Sequence, residues 1–226
     1  MVNKLLIQEQ NILLAKRKMV EYIYRSSVLE GINVTFHETQ AIFDGKSVEG
    51  ISIDDIKKIN NLKKAWMFLL ETLDRITDFD YLSRLNMIIG SEGSIYGAGK
   101  VRAYDVRISG TKWVPKIPFE YEIRNEMADI LEITSTTERA ITLMLWCMRR
   151  QIFIDGNKRT AMMIANKEMI TNGAGIISIP DEKIEDFYKL LISFYESNDM
   201  NEIKEFVYEH CIDGITDTNM QIDNIE

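Results

Sequence analysis

Residues 151–161 read Gln151-Ile152-Phe153-Ile154-Asp155-Gly156-Asn157-Lys158-Arg159-Thr160-Ala161, and the fold is decided by what lies on either side of them. Residues 140–148 (Ala-Ile-Thr-Leu-Met-Leu-Trp-Cys-Met) are apolar nearly all round, the mark of a helix buried on most sides. Asp155-Gly156-Asn157 breaks that helix, and residues 161–170 resume the pattern up to Asn172-Gly173. A short loop feeding a helix N-terminus presents unpaired N–H groups and a positive dipole end. Gly156 lets a ligand come close to the backbone. Lys158 and Arg159 put two cations where the dipole disfavours them, so an anion is needed to balance them. Together these parts form a phosphate cradle, with Asp155 placed to hold Mg²⁺ through carboxylate and phosphate oxygens. The same residues also suit a plain Asp-Gly-Asn turn with a solvated Lys-Arg pair. The apolar helices around them favour a site. The Gly-x-x-x-x-Gly-Lys-[Ser/Thr] pattern of a P-loop is absent.

Outward from this stretch the chain reads as helices. Leu5, Leu6, Ile12, Leu13, Met19, Val20 and Ile23 recur at three-to-four spacing. Thr35 and Glu38 form a capping-box pattern that opens a short helix stopped at Gly45. Ser52 with Asp55 opens another, striped by Ile56, Ile59, Leu62, Trp66, Leu69, Leu70 and Leu73. A shorter helix runs from Phe79 to Ile89 and ends at Gly90. Gly93, Gly97 and Gly99 mark residues 91–99 as a loop. Residues 102–108 then alternate like a strand, Ser109-Gly110-Thr111 turns, and residues 112–114 form the return strand, closed by Pro115 and Pro118. Helices follow around Ile123–Leu131, after Pro180, and around Met200–Val207. The expectation is a mostly α protein with one β-hairpin, divided as an N-terminal helical segment (1–50), a main domain (51–212) and an acidic C-terminal tail (213–226) that frays.

Composition agrees with a globular protein. The 226 residues carry 27 Lys+Arg against 35 Asp+Glu, a net charge of −8, with 46% hydrophobic and 27% charged residues. The acidic balance argues against broad binding to nucleic acid or anionic membranes. No apolar run approaches the roughly 18–20 residues that span a bilayer. The first residues turn polar at Gln8, too soon for a signal-peptide core, and Cys147 and Cys211 have no metal-ligand spacing. A cytoplasmic setting is expected. His37 and His210 are the only histidines, so a multi-histidine metal site is excluded. Trp66 and Trp146 sit on apolar faces and belong to the core, whereas Trp113 sits in the hairpin, free for a partner.

The central stretch resembles the signature of Fic (Fido) proteins, His-Pro-Phe-x-[Asp/Glu]-Gly-Asn-Gly-Arg-x-x-Arg, matching at Phe153, Asp155, Gly156, Asn157 and Arg159. Ser26-Ser-Val-Leu-Glu30-Gly31 resembles the [Ser/Thr]-x-x-x-Glu-[Gly/Asn] inhibitory motif of class II members. Gly99-Lys-Val-Arg102, the run Val106-Arg-Ile108-Ser-Gly110-Thr111 with Trp113, and Pro115 resemble the Fic flap. The resemblance implies a helical Fic fold with a β-hairpin flap, and transfer of AMP from ATP to a Ser, Thr or Tyr hydroxyl. It implies an anion hole at Gly156 and Asn157, phosphate binding by Lys158 and Arg159, Mg²⁺ at Asp155, regulation through Ser26, Glu30 and Gly31, and strand pairing of a target protein with the flap. A homodimer is left open.

Three positions depart from the signature. Gln151 stands where the family has its catalytic His, and an amide cannot take a proton near neutral pH. General-base help is worth about 10²–10⁴-fold, so transfer is expected to be weak or lost. Lys158 replaces a Gly in a Doc-like Gly-Asn-Lys-Arg form. Met162 replaces the second Arg, the usual partner of the inhibitory Glu. Glu30 therefore has no arginine there, and its removal is expected to leave nucleotide affinity unchanged; the alternative is that Lys158 or Arg159 substitutes as its partner. The leading reading is an ATP-binding Fic protein with weak or lost transfer. The alternatives are an active nucleotidyl- or phosphotransferase and a non-catalytic, antitoxin-like interaction protein.

Overall fold

The computed structural model describes residues 4–214, and of their side chains those from Gln8 onward. The described residues form helices α1 (Lys4–Leu29), α2 (Phe36–Phe43), α3 (Ile53–Glu71), α4 (Phe79–Ile89), α5 (Glu120–Leu131), α6 (Thr136–Arg150), α7 (Asn157–Thr171), α8 (Ile184–Ser197) and α9 (Asn201–His210). Two short strands, β1 (Ile176–Ile177) and β2 (Ile212–Asp213), pair antiparallel. The mostly helical expectation holds. Leu5 and Leu6, at the start of the expected first stripe, have side chains outside the described set, as do residues 215–226 of the expected tail.

The local signals set the helix ends. Thr35 Oγ1 accepts the Glu38 N–H at 3.2 Å while Glu38 Oε2 accepts the Thr35 N–H at 2.7 Å, so two orphan donors are satisfied reciprocally. Ser52 and Asp78 cap α3 and α4 from one side only, accepting the Asp55 and Tyr81 N–H groups.

α6 and α7 pack along each other at the centre. Residues 140–148 of α6 and 159–170 of α7 are all buried. Two of the polar residues this buries in α7, Asn166 and Glu168, are fully engaged with neighbouring elements. Asn166 donates to the Ile177 carbonyl and accepts the Ile177 N–H, tying α7 to β1. Glu168 pairs with Arg139 of α6 at 2.8 Å, both nearly out of solvent. Lost partners there would cost about 1–3 kcal/mol each.

Three expectations need correction. Helix α7 begins at Asn157, four residues before the resumed apolar pattern, because Gly156 turns left-handed and its carbonyl already accepts the Thr160 N–H at 2.9 Å. The two stretches expected to pair as a hairpin, residues 102–108 and 112–114, form no ladder with each other. They flank a turn at Ser109–Gly110, and the only bridge nearby joins Val101 to Phe153. Long-range side-chain tethers replace the ladder, as described below. Asp213, expected to open a fraying tail, sits in β2 instead. Its carboxylate accepts from Lys18 Nζ at 2.8 Å and Tyr22 Oη at 3.0 Å. Burial works against its charge, but those two donors outweigh burial and hold the carboxyl below its usual range. Together with stacking of Tyr22 on Trp66, this fastens α1 to the body.

Candidate functional site

The loop between α6 and α7 forms the floor of a cleft of about 580 Å³. Gln151, Ile154, Asp155, Asn157 and Lys158 line it from below, Val106 to Ser109 from the flap, Glu30 from the end of α1, and Tyr188, Leu191, Ile192 and Tyr195 from α8.

The loop is held by its own Asn157 and by Asn86 of α4. Asn157 Oδ1 accepts the Phe153 N–H at 2.9 Å, and Asn157 Nδ2 donates to the Phe153 carbonyl at 2.8 Å. Asn86 of α4, wholly buried, donates to the Asp155 carbonyl and to Thr160 Oγ1, both at 3.0 Å, and accepts the Gly99 N–H at 2.8 Å. Gly156 adopts φ +75°, and a Cβ there would meet Ile95 Cδ1 at 3.0 Å and Ile89 Cγ2 at 3.2 Å, so both conformation and space require glycine. No side chain caps α7, which leaves the first-turn N–H groups to the cleft. The Gly156 N–H is met by the Asp155 carboxylate at 2.6 Å.

Gln151 closes α6 in the left-handed region, at φ 47° and ψ 60°. Both ends of its amide are engaged. Nε2 donates to the Met148 carbonyl at 2.6 Å, and Oε1 accepts from Asn157 Nδ2 at 3.2 Å. It offers no proton acceptor of useful basicity. His37 and His210 are exposed on α2 and α9 and do not line the cleft.

The charges gather around Glu30. Arg159 is 2% exposed, with Nε 3.2 Å from Glu30 Oε2 and Nη2 3.7 Å from Asp155 Oδ2. Its Nε and Nη1 have no hydrogen-bond partner. Lys158 Nζ lies 3.6 Å from Glu30 Oε1 and donates to Tyr188 Oη at 3.1 Å. Burial disfavours the Lys158 charge, but Glu30 and Tyr188 outweigh burial and hold the ammonium above its ordinary range. Tyr188 Oη in turn donates to the Leu29 carbonyl, one residue before Glu30. Glu30 thus has two cationic partners without any arginine at position 162, and the basis for expecting its removal to be silent is gone.

The flap is fixed at a distance. Arg102, 3% exposed, donates Nε to the Gln151 carbonyl at 2.5 Å, Nη1 to Tyr104, and Nη2 to the carbonyls of Pro115 and Lys116. Glu196 of α8 accepts from the Lys112 N–H and from Thr111 Oγ1, both at 3.1 Å.

Of the residues singled out from sequence, Gln151, Asp155, Asn157, Lys158, Glu30, Val106 and Ile108 meet at the cleft. Gly156 and Arg159 lie buried just beneath it. Ser26, Gly31, Gly110 and Thr111 do not line it, and Trp113, expected to be free for a partner, is packed under the Arg149 guanidinium at 3.8 Å. Tyr188, Tyr195, Asn86 and the tethering role of Arg102 were missed. Asn86 carried a signal, a polar residue on the apolar stripe of α4.

The sequence profile of the Fic/DOC family matches residues 76–169. In structure, the chain superposes on Fic-1 (residues 134–508) of Caenorhabditis elegans with a TM-score of 0.74 at 23% identity, covering 87% of this chain and 62% of that one. The chain has the Fic fold. A Fic-domain signaling protein of Bacteroides thetaiotaomicron matches with a TM-score of 0.71 at 20% identity, over 86% and 81% of the two chains. In sequence, the protein adenylyltransferase fic-1 of Caenorhabditis briggsae is 28% identical over 75% of this chain, and the protein adenylyltransferase Fic of Drosophila grimshawi 26% identical over 82%. The chain spans 35% and 40% of the length of those two relatives. Among the described residues, no helix of this Fic-fold chain is long and apolar enough to cross a membrane, and no group of three or more His, Cys, Asp or Glu side chains could hold a metal.

Proposed function

We propose that this chain is an ATP-binding Fic-fold protein whose transfer of AMP to protein hydroxyls is weakened or lost at Gln151, and whose nucleotide site is restrained by Glu30. The observation that carries the reading is the Arg159 guanidinium. It is almost wholly buried, two of its nitrogens lack hydrogen-bond partners, and Glu30 lies against it. A buried cation with unused donors at a helix N-terminus suits nucleotide phosphates. The names of the adenylyltransferase relatives point to ATP.

In this reading Arg159 and Lys158 bind phosphate oxygens, the first-turn N–H groups of α7 accept the developing charge, and Asn157 keeps the loop in shape. Asp155 would hold Mg²⁺ as a single exposed carboxylate beside Arg159, shared with phosphate oxygens. The ion would supply charge neutralisation. Glu30 competes with phosphate for both cations. Gln151 hydrogen-bonds but takes no proton, so an attacking hydroxyl finds no base.

Thermal unfolding with Mg²⁺ and ATP tests the binding. ATP at about 100 times its dissociation constant adds about 2.7 kcal/mol. Arg159→Ala is expected to remove most of that shift. Glu30→Gly is expected to tighten ATP at least tenfold, or about 1.4 kcal/mol. An undiminished shift in Arg159→Ala refutes the site, and unchanged affinity in Glu30→Gly refutes the restraint. Incubation of a lysate with α- and γ-labelled ATP in parallel reports which group, if any, is transferred.

A further inference from the structure

A second cavity of about 600 Å³, within the size range of small-molecule sites, shares no lining residue with the nucleotide cleft. Its walls are aromatic: Trp113, Phe119, Trp146 and Phe194. Its polar groups are unevenly satisfied. Glu126 takes Trp146 Nε1 at 2.7 Å and Arg150 at 3.0 Å, and Glu122 takes Arg150 at 2.8 Å, so both carboxylates are engaged. Arg149 is different. Its Nε donates to the Tyr195 carbonyl at 3.1 Å and its plane stacks on Trp113, but no carboxylate among the described residues pairs with it. Burial holds its pKa below the usual range. Trp113 Nε1 is buried with no partner. With Lys116 at the rim, three cations face two carboxylates, a locally positive cavity in a chain of charge −8.

We propose that this cavity is an effector site for a small aromatic carboxylate, its ring between the aromatic walls and its carboxylate on Arg149 and Trp113 Nε1. An unpaired half-buried guanidinium and an orphaned indole N–H ask for one acceptor-rich anion. The flat aromatic walls supply the remaining binding area. The site is wired to the flap. Trp113 follows directly on Thr111 and Lys112, which Glu196 holds, and Arg149 grips the carbonyl of Tyr195, which lines the nucleotide cleft. Filling the second cavity therefore sets the flap against α8.

The probe is 2-naphthoate, followed by quenching of tryptophan fluorescence and by calorimetry on the full chain. Saturable binding is expected, weakened at least tenfold in Arg149→Gln and at least tenfold for neutral 2-naphthamide on the unaltered chain. Excess ATP with Mg²⁺ is expected not to displace it. The amide comparison decides the matter even if Arg149→Gln fails to fold. The proposal is overturned by no binding at millimolar naphthoate, by equal affinity for the amide, or by displacement with ATP, which would place the ring in the nucleotide cleft. None of these outcomes depends on whether the cleft transfers AMP.

Discussion

The loop at 151–160 and the flap at 101–119 face each other across one cleft and are built in opposite ways. The loop is wired chiefly within itself: Asn157 reaches back four residues to Phe153, Gly156 supplies the one backbone conformation the turn needs, and Asn86 of α4 adds a single outside brace. The flap has no ladder of its own and is pinned by single side chains, its own Arg102 at the base and Glu196 of α8 near its tip. The loop is a fixed template for an anion, whereas the flap is a tethered segment whose position depends on its tethers. The difference teaches that the two halves of the cleft fail separately. Damage to the loop removes the site, and damage to the tethers leaves a site with nothing aligned above it.

The largest effect is expected at the loop. Gln151→His supplies the missing base on an otherwise retained frame, and histidine is among the residues that tolerate the left-handed region this position occupies. Transfer of α-label from ATP to the chain itself is expected to rise by about 10²–10⁴-fold. No label in the variant, with ATP binding demonstrated, would break the idea that the loop lacks only its base.

Next comes the side chain that joins the two regions. Arg102→Met keeps the volume but loses four hydrogen bonds, one to the loop at Gln151 and three to the flap. A loss of about 3 kcal/mol is expected in urea unfolding. A loss under 1 kcal/mol would mean the flap holds itself up, and the contrast collapses. Gly156→Ala should cost less, about 1–2 kcal/mol, from backbone strain and the contact with Ile95. It should also weaken ATP, while hydrogen exchange in the flap stays as it was.

The smallest effect separates the flap from the rest. The Lys112 N–H, then the Thr111 hydroxyl, hold the Glu196 carboxyl below its ordinary 4.5. A depressed carboxyl contributes while ionised, so the tether is intact above pH 4.5 and is lost as pH falls through the lower folded value. Exchange protection at Lys112 is expected to drop there, and to be absent at all pH values in Glu196→Ala, with the loop unaffected.

This contrast also explains what was legible. Caps at Thr35 and Ser52, the left-handed glycine and the apolar helices of the centre declare themselves within a few residues. Where the signal lies in side chains from distant elements, sequence reading stopped short. Arg102 binds carbonyls at 115, 116 and 151, Glu196 holds a segment 84 residues away, and Tyr188 meets Lys158 only once α8 has packed. The alternating residues 102–108 read as a strand because alternation reports exposure on one side, which a tethered segment also has. Strand β1 was missed because two residues carry no period.

The attachment of α1 has a mechanical consequence. Lys18 and Tyr22 are fastened to Asp213, and Arg25 to Ser178, so the helix is clamped up to one turn short of Glu30. Swinging the helix as a lever would break all of those contacts and the Tyr22–Trp66 stack at once. Unwinding the final turn beyond Arg25 would expose the buried Ser27 and Leu29 and break the Ser27 bond to the Ile23 carbonyl, besides the Tyr188 bond to Leu29. Rotating the Glu30 side chain gives up only its pairing with Lys158 and Arg159 and leaves the helix in place, so its hold is an equilibrium that a competing anion shifts by concentration.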